Sequence, residues 1–203
     1  MASNLILIRH ASVQRSVPPR FLGSTDVPLD EHGRRQAACL ATITARRKPQ
    51  RLFASPLRRA LETARAIAGA VGLNIETDPD LRELDFGRWE GMTFDEIQAA
   101  DPDAVSQWNA WSYDFTPPGG ERLGDFLDRV RRAAARLAAL PGDAVMAVTH
   151  GGVIRSALCH LLGLPARNYL LFDVQPAALV NIRLYDGRGT LTEMLTPQAP
   201  ESR

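Results

Sequence analysis

Leu5-Ile6-Leu7-Ile8-Arg9-His10-Ala11 opens the chain with four aliphatic residues followed by two polar ones. An unbroken aliphatic run, rather than alternation, predicts a short strand buried on both faces. Strands of that kind belong to parallel sheets covered by helices on both sides. A second such stretch, Ala144-Val145-Met146-Ala147-Val148, ends at Thr149-His150-Gly151-Gly152. In an open parallel sheet the C-terminal strand ends share one edge, and ligand chemistry sits there. His10 and His150, far apart in the chain, are therefore candidates to meet, with Arg9 as an anion-holding neighbour.

Between these two strands, apolar periodicity alternates. The first strand is expected over 4–9. Asp30 is placed to cap a helix carrying Ala37, Ala38, Leu40, Ala41 and Ile43. Leu52-Phe53-Ala54 reads as a strand. Ser55 is then expected to cap, and Pro56 to open, a helix with Leu57, Ala60, Leu61, Ala64, Ile67, Ala68 and Val71 at helical spacing. Gly72 ends it. A weak strand is expected over 74–77, short helices over 93–100 and 102–111, the longest helix over 123–140 and a further helix over 153–162. Leu170-Leu171-Phe172 and 179–184 read as strands, the second pairing with 191–195 across Asp186-Gly187-Arg188-Gly189. The stretch 81–91 mixes polar residues with aromatics and reads as a loop lining a site. The sum is an α/β chain, a three-layer α/β/α sandwich with a mostly parallel central sheet, in a single domain over 1–203.

Composition narrows the function classes. Of 203 residues, 24 are Lys or Arg and 23 Asp or Glu, for a net charge of +1. That balance excludes the electrostatic footprint of a nucleic-acid or membrane-surface binder. Lys48 is the only lysine, so local anion binding falls to arginines. Cys39 and Cys159 lie in helical apolar patterns and read as buried free thiols. The N-terminus has no basic segment followed by an apolar run, so a cytoplasmic protein is expected. The apolar runs are too short to span a bilayer.

Four motifs then occur in a recognisable order: Ile8-Arg9-His10; Ser55-Pro56-Leu57-Arg58-Arg59-Ala60-Leu61-Glu62-Thr63-Ala64; Leu81-Arg82-Glu83 with Phe86-Gly87-Arg88-Trp89-Glu90-Gly91; and Val148-Thr149-His150-Gly151-Gly152. Together they resemble the histidine phosphatase superfamily, whose fold is phosphoglycerate-mutase-like, over about residues 5–195. The resemblance implies a phosphohistidine mechanism without metal or cofactor. His10 would be the nucleophile, its second ring nitrogen held by a fixed acceptor. Arg9, Arg59 and His150 would surround the phosphoryl oxygens. Arg59, not Arg58, matches the family arginine, because it directly precedes Ala60-x-x-Thr63-Ala64. Glu83 would protonate the leaving oxygen and then activate water, which requires an enclosed, partly apolar site. Ser12, Ser16, Ser24 and Thr25 fall where relatives line the substrate entrance, and Gly151 adjoins the second histidine.

The compact span from Glu83 to His150 resembles the phosphatases of the family more than its mutases. Trp108-Asn109-Ala110-Trp111 followed by 117–121 is similar to the α-ribazole phosphatase branch, which implies α-ribazole 5′-phosphate of cobalamin biosynthesis as substrate. A broad-specificity sugar or glycolytic phosphatase and a phosphoglycerate mutase stand as alternatives. Ala11-Ser12-Val13 departs from the family pattern of glycine, an acidic residue and Thr or Ser, and motivates an inactive, phospho-ligand-binding relative. The expected partner is a small-molecule phosphate ester, with a monomer or homodimer as the assembly.

Overall fold

The computed structural model describes residues 2–14, 18–185 and 188–198. Its centre is β1 (Asn4–Arg9), in which Leu5, Ile6, Leu7 and Ile8 are 2% exposed or less. Each such side chain contributes about 1.5–3 kcal/mol by leaving water. The sheet also contains β2 (Arg51–Ala54), β3 (Ile75–Thr77), β4 (Ala144–Thr149), β5 (Leu179–Tyr185) and β6 (Arg188–Leu195). The strand order is β3-β2-β4-β1-β5-β6. β1 to β4 run parallel, whereas β5 pairs antiparallel with β1, and β6 with β5.

Strand alternation divides the core in two. Leu5 and Leu7 face α5 (Leu123–Ala139) and α6 (Gly151–Leu161), packing with Phe126, Val130, Ala157 and Leu158. Ile6 and Ile8 face α1 (Glu31–Ala45) and α2 (Arg58–Val71), packing with Leu40, Ala60, Ala64 and Ile67. This is the expected α/β/α sandwich around a mostly parallel sheet. Two short helices, α3 (Phe94–Ala100) and α4 (Pro102–Asn109), form a satellite core of Trp89, Ile97, Val105 and Phe115. No helix among the described residues is long and apolar enough to cross a membrane.

Local signals act largely as their chemistry predicts. Asp30 accepts from the Gly33 amide at 2.6 Å and caps α1. Gly72 closes α2 at φ +70°, a conformation that glycine enters without steric cost.

Four expectations fail. Leu170-Leu171-Phe172 is not a strand: 166–171 forms a 3-10 turn, with Leu170 and Leu171 each 71% exposed. β1 and β5 are each paired on both sides and offer it no edge, and the segment lies against α6 instead. Ser55 does not cap α2; Leu57 holds that position without a side-chain bond, and Ser55 is used elsewhere. The helix expected to reach Trp111 stops at Asn109, and Trp111 turns to φ +55°. Cys159 is buried, but Cys39 is only half-buried. The turn residues Asp186 and Gly187 lie outside the described residues.

Candidate active site

Parallel pairing brings the two strand ends together. Arg9 stands opposite Thr149 in the register of β1 and β4, so the next residues, His10 and His150, emerge side by side. The His10 amide donates to the Thr149 carbonyl at 2.8 Å, and the ring centroids are 5.1 Å apart, tilted by 59°. His10 Nδ1 lies 2.8 Å from the Ala11 carbonyl. A carbonyl can only accept, so Nδ1 carries a proton. The Ala11 amide is held by Thr63 Oγ1 at 3.1 Å. Ala11 itself is fully buried against the α1–α2 side of the core, so its methyl fills the core there.

His150 is fully buried. Burial foremost, then the neighbouring positive charges, Arg59 first among them, holds its pKa well below the ordinary histidine value, so the ring is neutral. Its Nε2 lies 2.8 Å from Ser55 Oγ, and its buried Nδ1 has no hydrogen-bond partner among the described residues. Ser55 ends β2, the strand beside β4, and its amide donates to the Val148 carbonyl.

Arg59 sits in the first turn of α2 and is fully buried, whereas the Arg58 side chain is 58% exposed and paired with Glu62. Arg59 Nη1 and Nη2 donate to the carbonyls of Thr25 and Gly23 at 2.7 and 2.6 Å. Burial lowers its pKa, against the opposing pull of Glu83, Glu90 and Asp26. Its Nε has no partner among the described residues. Arg9 Nη1 donates to the Val174 carbonyl at 2.6 Å. Gly151 lies against that guanidinium: a Cβ there would stand 3.3 Å from Arg9 Cζ.

Glu83 reaches the same edge from the loop after β3. The Gly152 amide donates to its Oε2 at 2.9 Å, and the Leu84 amide to its Oε1 at 3.1 Å. These bonds fix the carboxyl group against the first turn of α6. A Cβ on Gly152 would sit 2.5 Å from Glu83 Oε1, so only glycine permits this approach. Thr149 ties β4 to the same loop by donating to the Leu81 carbonyl at 2.6 Å.

The structure thus brings together Arg9, His10, Arg59, Glu83, His150 and Gly151. The entrance residues are placed otherwise. Ser24 and Thr25 are exposed, but their hydroxyls donate to Asp85 at 3.0 Å and Glu90 at 2.5 Å. Ser12 is buried and donates to Asp30 at 2.9 Å, tying its segment to α1. Ser16 lies outside the described residues.

Sequence reasoning missed Ser55 and Glu90. Ser55 was assigned to helix capping, a role its position after a strand and before Pro56 suggests equally well. Glu90 accepts from the amides of Gly23, Ser24, Thr25 and Phe86, organising the loop whose carbonyls hold Arg59. Only its place inside a quoted motif marked it. Trp108 and Trp111 pack inward: Trp108 meets Phe86, Trp89 and Phe115, and Trp111 stacks on Tyr169 at 4.1 Å.

Comparison with known proteins identifies the family. The family model for the histidine phosphatase superfamily (branch 1) matches residues 5–196. The chain is 35% identical over 173 residues to glucosyl-3-phosphoglycerate phosphatase of Mycolicibacterium vanbaalenii, covering 81% of this chain and 76% of that one. A solved mycobacterial glucosyl-3-phosphoglycerate phosphatase superposes with a TM-score of 0.82 at 31% identity, over 95% of this chain and 98% of that one. The α-ribazole phosphatase of Shigella flexneri superposes with a TM-score of 0.85 at 29% identity, over 98% and 99%. With one family model spanning nearly the whole chain and named phosphatases among its relatives, this protein belongs to the histidine phosphatase superfamily and is a phosphatase.

Proposed function

We propose that the chain hydrolyses a small-molecule phosphate monoester through a phosphohistidine on His10. The observation that carries this reading is the His10 ring itself: Nδ1 donates to the Ala11 carbonyl at 2.8 Å, and the ring stands 5.1 Å, centre to centre, from His150. His10 Nε2 attacks phosphorus, the bond from phosphorus to the ester oxygen breaks, and Glu83 delivers a proton to the departing oxygen. Water then attacks the phosphohistidine, Glu83 takes back a proton, the phosphorus–nitrogen bond breaks and inorganic phosphate leaves. Arg9, Arg59 and His150 surround the phosphoryl oxygens, a task in which fixed donors supply most of the catalysis. Ser55 Oγ holds His150 Nε2 at 2.8 Å, and His150 Nδ1 has no partner among the described residues.

The reading is tested by brief incubation with a phosphate ester, acid-sensitive phosphate detection and peptide mapping. Label on His10, absent in His10→Ala, is the expected result; hydrolysis without label, or neither at any pH, overturns it.

For the substrate, α-ribazole 5′-phosphate is the first proposal, supported by the TM-score of 0.85 to an α-ribazole phosphatase. Glucosyl-3-phosphoglycerate is the second, favoured by the 35% identity to a phosphatase of that name. Turnover of both esters alongside 3-phosphoglycerate separates them. A preference of about a hundredfold in kcat/KM, some 2.8 kcal/mol, identifies the substrate, and equal slow turnover points to broad specificity.

A further inference from the structure

α5 carries a charge on its buried face. Phe126, Val130, Ala133 and Leu137 pack against the sheet, and Arg129 lies among them at 7% exposure. Its guanidinium sits 4.8 Å over the Phe126 ring. All five of its N–H donors are engaged. Nε and Nη2 grip the Glu121 carboxylate at 2.7 Å each. Nη1 donates to the carbonyls of Asp80 and Arg82 at 2.9 and 2.6 Å, and Nη2 also to that of Glu83 at 3.0 Å. Glu121 completes the grip from the other side, its amide donating to the Asp85 carbonyl at 2.9 Å.

One ion pair thus clasps the backbone at residues 80, 82, 83 and 85. From that segment the Glu83 carboxyl accepts from the Gly152 amide at the N-terminus of α6. A buried ion pair is a poor choice for stability, since an apolar pair of equal volume serves as well or better. A planar fork that meets three carbonyls and a carboxylate at once is a good choice for holding a loop in one geometry.

We propose that Arg129, set by Glu121, is a positioning residue for proton transfer by Glu83: it fixes the backbone from which the carboxyl reaches the leaving oxygen. The proposal rests on Glu83 as the general acid. Its readout is leaving-group dependence. A p-nitrophenolate departs with little protonation, whereas an alkoxide needs a proton, and kcat/KM reports the steps through departure of the alcohol.

The measurement compares kcat/KM for p-nitrophenyl phosphate and glycerol 3-phosphate in the full chain, with Arg129→Lys, Arg129→Met, Glu121→Gln and Glu83→Gln. Arg129→Lys keeps the charge but loses the fork. The expected result is a loss about tenfold greater on the alkyl ester than on the nitrophenyl ester in both Arg129 variants, within the range usual for residues that orient a reacting group. Adding Arg129→Met to Glu83→Gln is expected to cost the alkyl ester nothing further. Equal losses on the two esters in folded Arg129 variants, with Glu83→Gln still selective, overturn the positioning role and leave Arg129 a structural residue. If neither Arg129 variant folds, Glu121→Gln carries the same comparison with the same two outcomes. Equal losses in Glu83→Gln overturn the acid assignment, and the positioning role falls with it.

Discussion

At the residue scale, the candidate site works by close approach. Gly152 is the clearest case, because its amide reaches Glu83 Oε2 at 2.9 Å while a Cβ would stand 2.5 Å from Oε1. Replacing a helical glycine by alanine normally favours the helix by up to ~1 kcal/mol. Gly152→Ala is therefore expected to keep or raise Tm while lowering kcat/KM for an alkyl phosphate by about tenfold or more through displacement of the carboxylate. Unchanged alkyl turnover with unchanged Tm would show that Glu83 need not hold this position. Ser55 is the second case. Ser55→Ala leaves His150 Nε2 buried without its partner, and an unsatisfied buried group of this kind costs about 1–3 kcal/mol. A fall in the denaturant midpoint together with lost turnover is expected; full turnover would mean that the His150 ring is held in some other way.

At the scale of elements, loops are held by charges rather than by apolar packing. Glu90 collects the amides of residues 23, 24, 25 and 86, and the carbonyls of 23 and 25 in turn receive Arg59. Hydrogen bonds to a charged acceptor contribute roughly 1.5–3 kcal/mol each, so one carboxylate outweighs what this short polar loop can gain by burial. Glu90→Gln replaces one acceptor oxygen by a donor facing those amides. Because Arg59 then loses fixed partners, KM for any phosphate ester is expected to rise about tenfold. Steady-state kinetics over a range of substrate concentrations checks this; an unchanged KM would mean that Arg59 keeps its place without the loop.

At the scale of the molecule, a buried neutral histidine links folding to pH. Burial first, and then Arg59, His10, Arg9 and Arg129, keeps the folded His150 pKa well below 6.5. The unfolded chain returns it to an ordinary value of about 6.5. As pH falls, the unfolded state therefore takes up the proton first. The stability this group contributes is complete above about pH 6.5 and is lost as pH falls from there toward the folded pKa. His150→Gln removes that titration. The Tm of the natural protein is expected to fall more steeply below about pH 6.5 than that of His150→Gln, by thermal melts across the range. Parallel curves would show that His150 titrates alike in both states.

The sequence by itself determined the layers and the reactive edge. Uninterrupted aliphatic runs at 5–8 and 144–148 mark strands buried on both faces, and the polar residues after them, Arg9, His10 and His150, fall at their C-terminal ends. Asp30 and Gly72 likewise act through bonds to their own helices. Periodicity records burial, and capping is local, so both are written in neighbouring residues. What only the tertiary structure decided is which polar groups meet across the fold. Ser55 reaches His150 across 95 positions and Arg129 reaches the Glu83 carbonyl across 46. The 166–171 segment became an exposed turn against α6, beside a sheet whose inner strands β1 and β5 were already paired on both sides. A polar residue on a buried face announces that it must find a partner, as Arg129 does among Phe126, Val130 and Ala133; its identity is set by strand order and helix placement, which no local pattern contains.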